Sequence, residues 1–109
     1  MTRADRAMQI WQILIAAAHN RQTLTYGQIA DHLQFERAGV LSQPLDRITF
    51  YCISKNLPPL TCLVVNQKTG IPGSGFTNVG DLPHNREAVY QQNWFALPPA
   101  QISDFEADA

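Results

Sequence analysis

The stretch Asn56-Leu-Pro-Pro-Leu-Thr-Cys-Leu-Val-Val-Asn-Gln-Lys-Thr-Gly-Ile-Pro-Gly-Ser-Gly-Phe76 decides how this chain is read. Its first part stops a helix, because Pro58 and Pro59 lack the backbone N–H that a continuing helix needs. Leu60 to Asn66 is apolar, β-branched and bounded by turn formers, which predicts a strand. Asn66-Gln-Lys-Thr-Gly70 then reads as a hairpin tip. Gly70, Pro72, Gly73 and Gly75 make the return limb irregular, and Phe76 is placed to anchor it to the core.

Upstream, Met8, Trp11, Leu14, Ile15 and Ala18 recur at helical spacing and predict a first helix from Asp5 to His19. Asn20 is placed to end it in the left-handed conformation. Thr25-Tyr-Gly-Gln28 has the form of a capping box, in which the Thr and Gln side chains each satisfy an orphan backbone group. A short helix over Tyr26 to Gln34 follows, with Ile29, Ala30 and Leu33 facing inward and Leu24 stapling its entry. Phe35 to Gly39 reads as a turn. Pro44 suits the first turn of a third helix running to Lys55-Asn56. Its buried face is Leu41 or Leu45, Ile48 and Cys52, and its opposite face is Arg47, Tyr51 and Lys55 at spacings of four. Downstream, Asp81 caps a closing helix reaching Trp94 or Phe95, with Val89, Tyr90, Trp94 and Leu97 on its inner side.

The 109 residues suit one domain, and 45% hydrophobic residues can build its core. We place that domain at residues 1–100 and an acidic, flexible tail at 101–109, where Asp104, Glu106 and Asp108 gather. The net charge of −1 hides a small bias: residues 1–100 carry eight basic against six acidic groups, a net of +2. The apolar run Ile10 to Ala18 is far shorter than the roughly 20 residues that span a bilayer. With no secretory pattern at the N-terminus, the expected setting is cytoplasmic, without a membrane. Cys52 and Cys62 read as small buried hydrophobes, and neither has zinc-ligand spacing. His19, His32 and His84 lie far apart, and Asp31, His32 and Glu36 lack the spacing that puts two rings on one helix face. Gly70 to Gly75 lacks the Lys and following helix of a phosphate loop, so no cofactor or metal is expected.

The order of elements predicts an α+β fold, mainly helical: a winged helix-turn-helix with one β-hairpin wing. Within it, Thr25-Tyr26-Gly-Gln-Ile-Ala30, Arg47 nine positions before Asn56, the prolines after that Asn, and Val64-Val65 leading to Gly75-Phe76 resemble the DNA-binding domain of the alkylguanine-DNA alkyltransferases and alkyltransferase-like proteins. The resemblance covers residues 24–76. It implies a Tyr26 near DNA, an arginine at Arg47 that enters the base stack, and a wing beyond Val65. The chain departs from the family where the chemistry lies. Thr61, Cys62 and Leu63 stand where the resemblance puts Cys, His and Arg, so the activating histidine is absent and no enzymatic activity is expected. Asp46-Arg47-Ile-Thr-Phe also replaces the family's small-residue surroundings of its arginine.

Two functions follow. The leading expectation is a non-enzymatic DNA-binding protein. Tyr26, Lys55 and Lys68 would hold phosphates and Arg47 would reach a groove, with Tyr51, Asn56, Asn66 and Gln67 beside them. Each has a plainer reading: a half-buried core tyrosine at Tyr26, a solvated helix face at Arg47 and Lys55, any exposed hairpin at Asn66 to Lys68. The alternative is a small protein-interaction module, an inhibitor, immunity or adaptor protein, a homodimer being one version of it. Near-neutral charge and the aromatics Phe50, Tyr51, Phe76 and Trp94 suit an interface core. A continuous basic strip through Arg47, Lys55 and Lys68 would favour DNA, and an apolar patch there would favour a protein partner.

Overall fold

In the computed structural model, residues 2–34, 41–72 and 81–106 are described. The architecture is a mainly helical globule. Among the described residues there are four helices, α1 (Arg3–His19), α2 (Tyr26–His32), α3 (Ser42–Ser54) and α4 (Leu82–Gln91), and a small two-stranded parallel sheet, β1 (Leu24–Thr25) and β2 (Val64–Val65).

The first of these helices is the hub. Its start is fixed by a capping box that the sequence reading missed: Asp5 N–H donates to Thr2 Oγ1 at 3.1 Å, and Thr2 N–H donates to Asp5 Oδ2 at 2.9 Å. That second bond holds the Asp5 carboxyl below its usual range. Ala7, Ile10, Leu14 and Ala18, at steps of three and four, are wholly buried. Met8 and Ile15, expected on this stripe, are only partly buried and pack against the core from its margin. Each large aliphatic side chain sealed this way contributes about 1.5–3 kcal/mol. At the far end Arg21, not Asn20, takes the left-handed conformation with φ 54°. Gln22 N–H donates to Ala17 O and Arg21 N–H to Ala18 O, a Schellman motif that satisfies the last carbonyls.

The capping box of α2 is formed as the sequence predicts, with Gln28 N–H on Thr25 Oγ1 at 3.0 Å and Thr25 N–H on Gln28 Oε1 at 2.9 Å. Leu41, Leu45, Ile48 and Cys52 form the buried face of α3. The expected turn at Phe35 to Gly39, including Glu36, lies outside the described residues.

Among the described residues no hairpin wing is formed. Leu60–Leu63 is a 3-10 turn with all four residues buried, and only Val64–Val65 is extended. That pair bonds in parallel to β1, Leu24 opposite Val64 and Thr25 opposite Val65. A short, wholly apolar run carries no alternation, so its period cannot separate a buried turn from a strand. The former hairpin tip survives as a closed turn: Asn66 N–H donates to Ile71 O and Gly70 N–H to Asn66 O, both at 2.8 Å. Gly70 supplies the required positive φ of 70°. Gly73, Gly75 and Phe76, the expected return limb, lie outside the described residues.

The helix α4 starts after Asp81, whose side chain makes no capping bond, and stops at Gln91. Continuing it would need Asn93 N–H on Val89 O, but the Trp94 indole N–H takes that carbonyl at 2.8 Å. Trp94–Ala96 is a separate 3-10 turn.

The segment after residue 100 is packed, where composition marks a tail. Ile102–Phe105 forms a 3-10 turn against α1 and α3, and Phe105 is wholly buried. Its ring lies 5.7 Å from that of Trp11 and 5.2 Å from that of Tyr51. Trp11 also meets Tyr51 and Trp94 edge-on, at 5.3 and 5.6 Å. This aromatic cluster joins α1, α3 and both C-terminal turns. Residues 107–109 lie outside the described ones. Among the described residues no helix is long and apolar enough to cross a membrane.

Candidate functional site

The structure divides the eight sequence-selected residues between two places. Parallel pairing of β1 and β2 brings the first together: with Thr25 opposite Val65, Tyr26 and Asn66 are the next residues in line. Tyr26 opens α2 and is half-buried against the core. Asn66 Oδ1 accepts the Lys68 N–H at 2.8 Å, an Asx turn that shapes the loop locally. Gln67 and Lys68 are exposed on this turn. Arg86 of α4 donates to Gly70 O at 2.8 Å and ties the turn to the body.

The second group is Arg47, Tyr51 and Lys55 on α3, expected to point away from the core towards a ligand. Instead this face meets the chain's own C-terminal segment. Arg47 Nη1 donates to Phe105 O at 2.8 Å and Glu106 O at 2.9 Å. Tyr51 lies between the Trp11 and Phe105 rings, and burial first, then the nearby Asp104 charge, pushes its phenol pKa up. Only Lys55 is exposed, on one side of a cleft of about 360 Å³ shared with Tyr51, Leu57, Leu97, Pro98, Pro99 and Asp104. Asn56 has a backbone role. With φ 58° it is the left-handed residue after α3, and Leu57 N–H on Cys52 O together with Asn56 N–H on Ile53 O completes a second Schellman motif.

Rotating round α3 from that occupied side brings up Asp46, Phe50 and Ile53. Ile53 is 70% exposed and Phe50 36%. The sequence reading placed Phe50 in an interface only by residue type and missed Ile53. A signal was present: both lie across the helix from Leu45, Ile48 and Cys52, so α3 is apolar on two sides, where an ordinary surface helix has one apolar stripe. The six exposed residues of α3, Ser42, Gln43, Asp46, Phe50, Ile53 and Ser54, include no cation.

The position that the resemblance assigns to an alkyl acceptor is Thr61, buried with its hydroxyl 2.7 Å from that of Thr49. Cys52 and Cys62 are buried free thiols, and burial pushes both up to about 11, so neither is a thiolate at neutral pH. Among the described residues no three His, Cys, Asp or Glu side chains gather in a way that would hold a metal ion. No family model, curated protein or solved structure matches this chain.

Proposed function

We propose that the protein is a non-enzymatic protein-interaction module that docks the outward face of α3 onto an apolar surface of a protein partner. One observation carries this: the exposed side of α3 presents adjacent Phe50 and Ile53 and no cation, while Arg47 is bound to the Phe105 and Glu106 carbonyls. A helix that enters a DNA groove needs cations for the phosphates. A helix that seats on protein needs apolar area at the centre and few charges. Covering Phe50 and Ile53 fully would contribute up to about 1.5–3 kcal/mol each, the scale of an interface anchor.

The test pairs the wild-type chain with Ile53→Asp and Phe50→Asp, after circular dichroism confirms that both variants fold. Light scattering over a concentration series reads self-association, and crosslinking in a native extract reads other partners. The charged variants lose a complex that the wild type forms, whether the partner is a second copy or another protein. Identical assemblies in wild type and variants would refute the reading.

A second reading, DNA binding, is favoured by the juxtaposition of Tyr26 with Asn66, Gln67 and Lys68 across the β1–β2 pair. In it, α2 and α3 serve as a helix-turn-helix and the Asn66–Ile71 turn replaces the wing as the phosphate contact. Duplex affinity then falls with salt and with Lys68→Ala. A fluorescence titration with no binding at low salt removes this reading.

A further inference from the structure

The cleft beside Lys55 has two unlike charges that do not meet. The Lys55 ammonium, just past the end of α3, makes no hydrogen bond or ion pair among the described residues, its backbone N–H alone being taken by Tyr51 O. Asp104, on the other wall, accepts Gln101 N–H on Oδ2 at 2.7 Å. That bond holds the carboxylate through Oδ2. Between the charges the walls are apolar: Leu57 on the α3 side, and Leu97, Pro98 and Pro99 on the other. Leu97 is extended, with φ −75° and ψ 152°. The two prolines that follow lock their own φ, which restricts the conformations open to this wall. Preorganised walls lower the ordering cost that weakens small-molecule binding.

We propose that this cleft binds a free apolar α-amino acid as its zwitterion, with the carboxylate on Lys55, the ammonium on Asp104, and the side chain between Leu57 and the Leu97-Pro98-Pro99 wall. The volume of about 360 Å³ holds a molecule of this size and is small for a nucleotide. A simple carboxylate would leave Asp104 unpaired beside its own negative charge. A simple amine would do the same to Lys55. Only a ligand carrying both signs satisfies the two groups at once, and the apolar walls select its side chain. Neither Phe50 nor Ile53 lines this cleft, so the site stands apart from the proposed docking face.

The experiment is an amide-resonance titration of the full chain with L-leucine, N-acetyl-leucine and leucinamide, each taken to about 20 mM, above the millimolar affinity of a ligand held by so few contacts. L-Leucine gives saturable shifts at Tyr51, Leu57 and Leu97. Each capped form binds at least about tenfold more weakly. Lys55→Gln removes the preference for leucine over leucinamide. Asp104→Asn, which keeps an oxygen for the Gln101 N–H, removes the preference over N-acetyl-leucine. Unchanged spectra elsewhere show that the variants fold. Absence of saturable shifts with leucine overturns the proposal. So does equal binding of a capped form, which would mean that the cleft reads only an apolar group.

Discussion

Replacing Phe105 by Ala tests whether the C-terminal segment is part of the folded unit. The ring is wholly buried, within 5.7 Å of the Trp11 ring and 5.2 Å of the Tyr51 ring. Truncating a phenylalanine in such a site costs about 3–5 kcal/mol, from lost transfer energy and the cavity left behind. A small domain is stable by only about 5–15 kcal/mol in total, so the loss is a large part of it. With a urea slope of about 1.5 kcal/mol/M, a loss of about 4 kcal/mol moves the unfolding midpoint down by about 2.5 M. Urea titration followed by tryptophan fluorescence reads this directly, because Trp11 touches the altered position, and circular dichroism gives an independent midpoint. Ile102→Ala is the control. It lies in the same turn but is 45% exposed, so its cost stays within about 1 kcal/mol. If Phe105→Ala shifts the midpoint no more than Ile102→Ala does, the segment is loosely attached, and the account of Arg47 and Tyr51 as occupied by it fails.

Three further outcomes are expected. Thr25→Ala removes the cap of α2 and lowers stability by about 1 kcal/mol in the same urea assay, whereas Gln28→Glu, which keeps an acceptor for the Thr25 N–H, has little effect. At Asn56, φ 58° makes Gly neutral, while Val costs about 1–3 kcal/mol because a β-branched residue is strained there; equal thermal midpoints for the two would contradict the left-handed geometry. The buried thiols set an alkaline limit. Below pH about 9 both are neutral folded or unfolded; from there to about 11 the unfolded chain releases protons that the folded chain keeps, so stability falls through that window. The slope is shallower in a Cys52→Ala, Cys62→Ala double variant, and a native chain that reacts rapidly with an aromatic disulfide reagent at pH 8 would contradict the burial.

Local sequence signals located the helices well because each rests on contacts within one or two turns. The Thr25–Gln28 box, the Leu45, Ile48 and Cys52 face and the stop before Pro58 all depend on neighbours in sequence. The errors arise where a distant partner decides. The strand at Val64–Val65 has its partner 40 residues upstream at Leu24–Thr25, and no turn residue encodes a parallel pairing of that kind. The end of α4 is a local exception: the Trp94 indole, only five residues on, takes Val89 O, a side-chain contact that the apolar spacing does not encode. In the last segment, three acidic residues dominate the composition and conceal Phe105, whose burial outweighs their solvation. Charge counts describe a tail well only when it has no large apolar side chain to bury.

That last misreading also governs the candidate site. A third helix read in isolation has one buried face and one free face, and its free face holds Arg47, Tyr51 and Lys55. Docking Phe105 turns this into three faces. One packs on α1, one is covered by residues 102–106, and the third, with Phe50 and Ile53, is left to solvent. Of the cations selected for DNA, Arg47 donates to the carbonyls of Phe105 and Glu106, and Lys55 lines a cleft to which this segment contributes Asp104. The docking of Phe105 therefore determines which side of α3 is left exposed. Removing it should unmask Arg47 and Tyr51 at the same time as it weakens the fold, so functional changes in a truncated chain carry information about α3 only when unfolding is measured alongside them.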